Sequence, residues 1–199
     1  CTARGIMVTN TPGVLDDSTA DLAWTLMLAT ARRLTEVEAN IRNGEWTGWR
    51  LKQWLGVDVH HATLGIIGMG RIGQAIARRG AHGFGMKVIY HNRSRLGADL
   101  ESDLKATWVS KEQLFGQADH VILVLPYSPA AHHIVGAAEL ALMKTTATLV
   151  NIARGGIVDE NALIEVLKNR RIGAAGLDVF EGEPQVNPGL LALENVVLT

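Results

Sequence analysis

The chain has 199 residues, 47% of them apolar and 20% charged, with a formal net charge of −1. That length suits one large domain or one and a fraction, and the charge balance gives no basic excess that would make nucleic acid the main partner. The longest strongly apolar run, Val121 to Leu125, falls far short of a membrane span. No signal peptide is visible, and the single cysteine, Cys1, cannot form an internal disulfide, so a reducing, cytoplasmic setting is expected. The chain starts without an initiator Met and stops at Thr199 within an apolar strand pattern, so both ends read as cut. No metal site is expected.

In chain order, Ile6-Met7-Val8-Thr9 reads as a short strand stopped by Thr11-Pro12-Gly13. A long helix is expected from about Thr19 to Asn43, with Ser18 as its cap and Asp21 three residues on in a capping-box-like place. Ala23, Met27, Leu34, Val37 and Ile41 lie along one face of it, and Gly44 suits its end. Residues 45–59 read as a loop whose tryptophans, Trp46, Trp49 and Trp54, serve packing or an interface. Strands and helices then alternate. Strands are expected near 62–67, 86–90, 119–125, 147–152, 172–177 and 195–198, and helices near 71–83, 110–116, 136–143 and 160–169. Most of these strands are continuous apolar runs, as in a parallel sheet covered on both faces. The pattern predicts an α/β fold, a doubly wound parallel sheet of the Rossmann type, with ligands at the carboxyl ends of its strands.

Gly68-Met69-Gly70-Arg71-Ile72-Gly73 falls between the first of these strands and its helix. In that setting Gly68, Gly70 and Gly73 form a dinucleotide fingerprint: a tight turn, room for a pyrophosphate, and close helix–strand packing. The helix start supplies free N–H groups to the phosphates. Roughly 20 residues on, an NAD-preferring site places an acid for the ribose 2′-OH. Here the strand Val88-Ile89-Tyr90 ends in His91, Asn92, Arg93, Ser94 and Arg95. No acid repels a 2′-phosphate, and two guanidiniums are present to hold one, so NADP(H) is expected, with NAD(H) as the alternative. Charge-assisted hydrogen bonds are worth roughly 1.5–3 kcal/mol each, so two good contacts would favour NADPH by about two orders of magnitude or more. The competing reading of Arg93 and Arg95 is a solvated loop pair.

Further residues fall at later strand ends. Pro126 ends the third strand of the unit beside the cofactor cleft. Arg154 stands at the mouth of an apolar strand before two glycines, where a guanidinium can hold a substrate carboxylate. Asp159 reads as a helix N-cap. Asp178 sits where a carboxylate can meet the nicotinamide end of a cofactor. One acid of the next turn could orient a histidine and raise its pKa, and residue chemistry alone does not choose between Glu181 and Glu183.

The segments LGIIGMGRIGQAIARR, NIARGGIVDENAL, GLDVFEGEP and the closing NVVLT lie in one order over nearly the whole chain. In them the chain resembles the D-isomer-specific 2-hydroxyacid dehydrogenases. NTPGVLDDSTADLAWTLML and YHNRSR are most similar to the glyoxylate/hydroxypyruvate reductase and 2-ketogluconate reductase branch, which commonly uses NADPH. The resemblance implies that Arg154 binds the carboxylate of a 2-oxoacid and polarises its carbonyl. It implies that Glu183 supports the catalytic histidine and that Asp178 touches the nicotinamide. Gly70, Arg71 and Ile72 would cradle the pyrophosphate. Asn92, Arg93, Ser94 and Arg95 would surround the adenosine ribose, and Pro126 and Ile152 would line the cleft. The family's histidine follows the last strand, so it is expected beyond Thr199, and the chain as given is expected to bind cofactor with little turnover. None of His60, His61, His82, His91, His120, His132 and His133 matches its position, and each reads as a surface or loop histidine. Residues 1–17 would be the last strand and crossover of a mostly absent substrate domain, residues 18–199 the nucleotide-binding domain, and the long helix part of a homodimer contact. The alternatives are an NAD-dependent relative, such as a phosphoglycerate or formate dehydrogenase, and a non-enzymatic nucleotide-sensing protein of the corepressor type.

Overall fold

The computed structural model describes residues 2–199, so Cys1, which carries the redox expectation, lies outside the described residues. After a short helical turn at Thr2–Arg4, the elements in order are α1 (Asp16–Ala31), α2 (Leu34–Arg42), β1 (Thr63–Ile67), α3 (Arg71–Arg78), β2 (Lys87–His91) and α4 (Ala98–Asp103). There follow β3 (Ala106–Trp108), α5 (Lys111–Gln117), β4 (His120–Leu123), α6 (Ala137–Leu142) and β5 (Thr148–Asn151). The chain closes with α7 (Glu160–Lys168), β6 (Ala174–Leu177), α8 (Pro188–Leu191) and β7 (Val196–Leu198).

The strands form one parallel sheet in the order β3-β2-β1-β4-β5-β6-β7. The chain leaves β1 toward one edge and returns to build β4 on its other side. The order therefore reverses between β1 and β4, and a crevice opens at their carboxyl ends. Strands β4, β5 and β6 are buried along their full length, which explains their unbroken apolar sequence. One core lies between the sheet and α1 with α3, around Trp24, Met27, Ile66, Ile76 and Tyr90. The other lies under α5, α6 and α7, around Phe115, Leu123, Leu149, Leu163 and Leu167. The expected doubly wound sheet is present.

Three local expectations are corrected. Ile6 to Thr9 form no strand and lie exposed. The sequence supplies a short apolar run there, but among the described residues no strand pairs with it. Ser18 does not cap a helix: α1 starts two residues before it, after Leu15, and the Ser18 hydroxyl donates back to the Leu15 carbonyl at 3.2 Å. The long helix is two helices, broken at Arg33, whose φ of 54° is left-handed. The cause is tertiary. The Val57 N–H takes the Ala31 carbonyl at 2.8 Å, an acceptor that a continuous helix would give to the residue four positions on. α1 then stays buried while α2 stands off the sheet with no fully buried residue.

Three helices or strands went unseen in the sequence, one of them the four-residue α8 at Pro188–Leu191. β3 is a three-residue edge strand with two exposed positions, and α4 is a six-residue helix in front of it.

Candidate active site

β1 delivers the chain into Gly68, whose φ of 103° and close approach to the Val124 carbonyl leave no room for a side chain. A Cβ on Gly73 would lie 2.2 Å from the Gly68 carbonyl oxygen, so α3 can start hard against the strand only with glycine there. Gly70 differs. It is the residue before α3, no side chain caps that helix, and a Cβ built on Gly70 meets nothing within 4 Å. Two glycines are fixed by packing and the third faces open space at an uncapped helix start. That is the arrangement a pyrophosphate needs.

The open space is a cleft of about 490 Å³ lined by Gly68, Gly70, Asn92, Arg93, Ser94 and Pro126, together with Met69, Tyr127 and Ile134 among others. It runs from the end of β1 to the ends of β2 and β4. Asn92 Oδ1 accepts the Met69 N–H at 2.7 Å, and the Trp108 indole donates to the Asn92 carbonyl at 3.2 Å. The loop after β2 is thus tied to the glycine turn.

Arg93 and Arg95 part company. Arg93 is exposed on the cleft wall. Arg95 turns back, with Nε and Nη2 donating to Glu101 at 2.8 and 2.7 Å. The Tyr90 hydroxyl donates to the same carboxylate at 2.7 Å and accepts the Leu96 N–H. The hydrogen bonds from Arg95, and then from Tyr90, hold the Glu101 carboxyl below its usual range, while burial pushes the Tyr90 phenol up. Arg95, on the loop that carries Arg93 and expected beside the 2′-phosphate or in a solvated loop pair, here neutralises a buried acid. The spacing of Arg95 and Glu101 on a loop and an unrecognised helix gave no signal of it.

A second group of turns follows β5 and β6. Arg154 is exposed just past β5, its Nη1 donating to the Ala153 carbonyl at 2.6 Å. Asn151 shapes that turn, accepting the Ala153 N–H and donating to the Arg154 carbonyl, both at 3.0 Å. Asp178 follows β6 and accepts the Thr199 hydroxyl at 3.2 Å. Glu183 accepts the Phe180 N–H at 2.9 Å. The two turns touch: a Cβ on Gly155 would sit 2.0 Å from the Phe180 carbonyl. Asp159 caps α7 by accepting the Ala162 N–H at 3.0 Å. Arg71, Ile72 and Gly73 open α3 directly after Gly70 and Ile152 is buried, but none of the four is in the lining of the cleft. Arg154, Asp178 and Glu183 stand outside its lining.

Sequence reading also missed one group. His132, His133 and Glu181 bring donor atoms within 4.8 Å of one another, although they come from turns far apart in the chain.

The switch-point cleft, the three-glycine turn and the uncapped helix start define a dinucleotide-binding Rossmann domain. Residues 24–199 match the family model described as D-isomer specific 2-hydroxyacid dehydrogenase, NAD binding domain, and the chain belongs to that family. It is 53% identical over 201 residues to a glyoxylate reductase of Thermococcus gammatolerans, covering 99% of this chain and 60% of the relative. It is 48% identical over 197 residues to a glyoxylate/hydroxypyruvate reductase B of Salmonella newport, covering 98% and 60%. The crystal structure of a glyoxylate reductase from Paecilomyes thermophila superimposes with a TM-score of 0.88 at 43% identity, covering 99% of this chain and 58% of that one. The chain therefore spans about 60% of the length of the curated relatives it matches. The domain is one for a nicotinamide cofactor, and among the described residues no helix is long and apolar enough to cross a membrane.

Proposed function

We propose that this chain is the cofactor-binding part of an NADPH-dependent reductase of small 2-oxoacids, with glyoxylate and hydroxypyruvate as the leading substrates and 2-ketogluconate as a third. The carrying observation is Gly70, open above an uncapped helix start, with the Arg154 turn two strands away on the same rim of the sheet. The names of the similar reductases support the substrate class.

A bound nicotinamide cofactor supplies the hydride. The chain's own residues do the rest of the positioning. The first-turn N–H groups of Arg71, Ile72 and Gly73 receive the pyrophosphate. Asn92 and Ser94 border the adenosine ribose, and Arg93 provides the cation for a 2′-phosphate. Pro126 lines the cleft, and Ile152 backs it. Arg154 holds the substrate carboxylate and draws electron density from the adjacent carbonyl. Glu183 supports the imidazole that gives a proton to the carbonyl oxygen, and Asp178 meets the nicotinamide end.

Ile41, Trp46, Trp49, Leu51 and Leu55, exposed and lining one pocket with Val37 and Trp54, support a homodimer contact. The reading places the protein in the cytoplasm and gives it no nucleic-acid or membrane partner. The test is NADPH-dependent reduction of glyoxylate and hydroxypyruvate by a longer protein that carries this chain together with a substrate domain and the catalytic histidine, with Arg154 intact or replaced by Met. Loss of turnover on replacement is the expected result. Tight NADPH binding without reduction of any 2-oxoacid would overturn the enzymatic reading in favour of a nucleotide sensor.

A further inference from the structure

We propose that His132, His133 and Glu181 form a binding site for one divalent transition-metal ion of the zinc type, beside the cofactor cleft and independent of the function proposed above. The three side chains come from two turns. His132 and His133 follow the short helical turn Pro129–Ala131 after β4, and Glu181 follows β6. Each offers one ligand atom, and those atoms lie within 4.8 Å of one another.

The local geometry is that of a site nearly assembled. His133 Nε2 is 3.1 Å from each Glu181 oxygen. Ligand bonds of about 2.0–2.2 Å at a tetrahedral or octahedral ion put neighbouring ligand atoms about 3.0–3.5 Å apart, so an ion fits at that edge with little movement. The rings of His132 and His133 lie 3.9 Å apart, 21° from parallel, so His132 tilts out of that stack to bring its nitrogen to the same ion. The Tyr127 hydroxyl lies 3.2 Å from His132 Nδ1, the kind of outer contact that orients a ligating imidazole. The His133 backbone is fixed as well, with its N–H donating to the Gly156 carbonyl at 2.8 Å.

The donor chemistry selects the ion. Two imidazoles and one carboxylate suit zinc, cobalt, nickel or copper, whereas magnesium and calcium prefer oxygen ligands throughout. Three protein ligands leave one tetrahedral vertex for water. His132 and Glu181 are exposed and His133 is half-buried, so an ion can enter from solvent. Once bound, it would clip the turn after β4, which borders the cleft through Tyr127, to the turn that carries Glu183.

The test uses this chain, stripped with a chelator and free of nucleotide, titrated with Zn2+ by calorimetry and with Co2+ by visible absorption. We expect one equivalent bound, a cobalt spectrum of low-symmetry nitrogen and oxygen coordination, and a rise in thermal midpoint with Zn2+. Each of His132→Ala, His133→Ala and Glu181→Gln should weaken binding by about tenfold or more, whereas His60→Ala, in the chain's other histidine pair, should not. Circular dichroism checks that each variant is folded. If Zn2+ binds the wild type no better than the Glu181→Gln and His132→Ala variants, the cluster is only a surface ion pair and the proposal fails. Equal loss on His60→Ala would also overturn it. None of these readings depends on NADPH or on a 2-oxoacid.

Discussion

Asn92, after β2, and Met69, in the glycine turn after β1, are joined across the wall of the cleft, the Asn92 Oδ1 accepting the Met69 N–H at 2.7 Å. Asn92→Ala leaves that part-buried N–H without its partner, at a cost of about 1–3 kcal/mol. Weaker binding of NADPH and NADH alike is expected, by about tenfold or more. Asn92→Asp keeps the acceptor and adds a negative charge near the ribose, so it should lower NADPH affinity more than NADH affinity. Fluorescence titration of both nucleotides against both variants checks the pair. Equal losses in Asn92→Asp would remove Asn92 from the neighbourhood of a 2′-phosphate.

The two arginines of this loop should separate by experiment. Arg93→Ala should lower NADPH affinity by about tenfold and leave NADH affinity and thermal midpoint near the wild type. Arg95→Ala strands the Glu101 carboxylate, which is buried against Tyr90, and should lower the thermal midpoint of the apo chain. Side-by-side nucleotide titrations and thermal melts decide it. A preference for NADPH that survives Arg93→Ala would remove Arg93 from the 2′-phosphate, and a wild type that favours NADH would dismiss the NADPH assignment.

Glycine replacements should divide between binding and folding. Gly70→Ala meets open space at a negative φ of −76°, so stability should hold while dinucleotide binding is lost. Gly155→Ala drives a Cβ to 2.0 Å from the Phe180 carbonyl and should cost about 2–4 kcal/mol of stability. Urea denaturation and NADPH titration of both variants give the comparison. A destabilised Gly70→Ala with intact binding would contradict the assignment of the cleft.

Acid should destabilise the chain through His120. Burial lowers its pKa, and the imidazole lies 2.8 Å from the Thr148 hydroxyl and 3.1 Å from the Asp58 carbonyl. The unfolded chain, with an ordinary value near about 6.5, takes up the proton first. The contribution is therefore full above that pH and is lost as pH falls through it toward the folded value. His120→Gln should flatten the fall in urea midpoint between pH 7.5 and pH 5.5. An unchanged slope would assign that fall to other groups. Glu101, Asp119 and Glu139, whose carboxyls are held below their usual range, act at lower pH in the same direction.

The strands β1, β2, β4, β5, β6 and β7 were legible because covered parallel strands must be continuously apolar. β3 was not, since two of its three residues, Thr107 and Trp108, face out at the sheet edge. The glycine turn was legible because its demands are local to the backbone. The break at Arg33 was not: Ala31 to Thr35 contain no Gly or Pro, and the competitor for the Ala31 carbonyl is Val57, 26 residues away by number. The partnership of Arg95 with Glu101 and the meeting of His133 with Glu181 were hidden for the same reason. Both depend on which turns the sheet order brings side by side.

Because every strand points the same way, the molecule has a working rim and a resting rim. Gly68, Asn92, Arg154 and Asp178 all follow strand ends, whereas His120 and the Lys144–Asp119 ion pair, at 2.7 Å, sit where strands begin. An engineer could redesign the second rim for heat or solvent tolerance without entering the first, and sequence drift there would leave little trace in the chemistry.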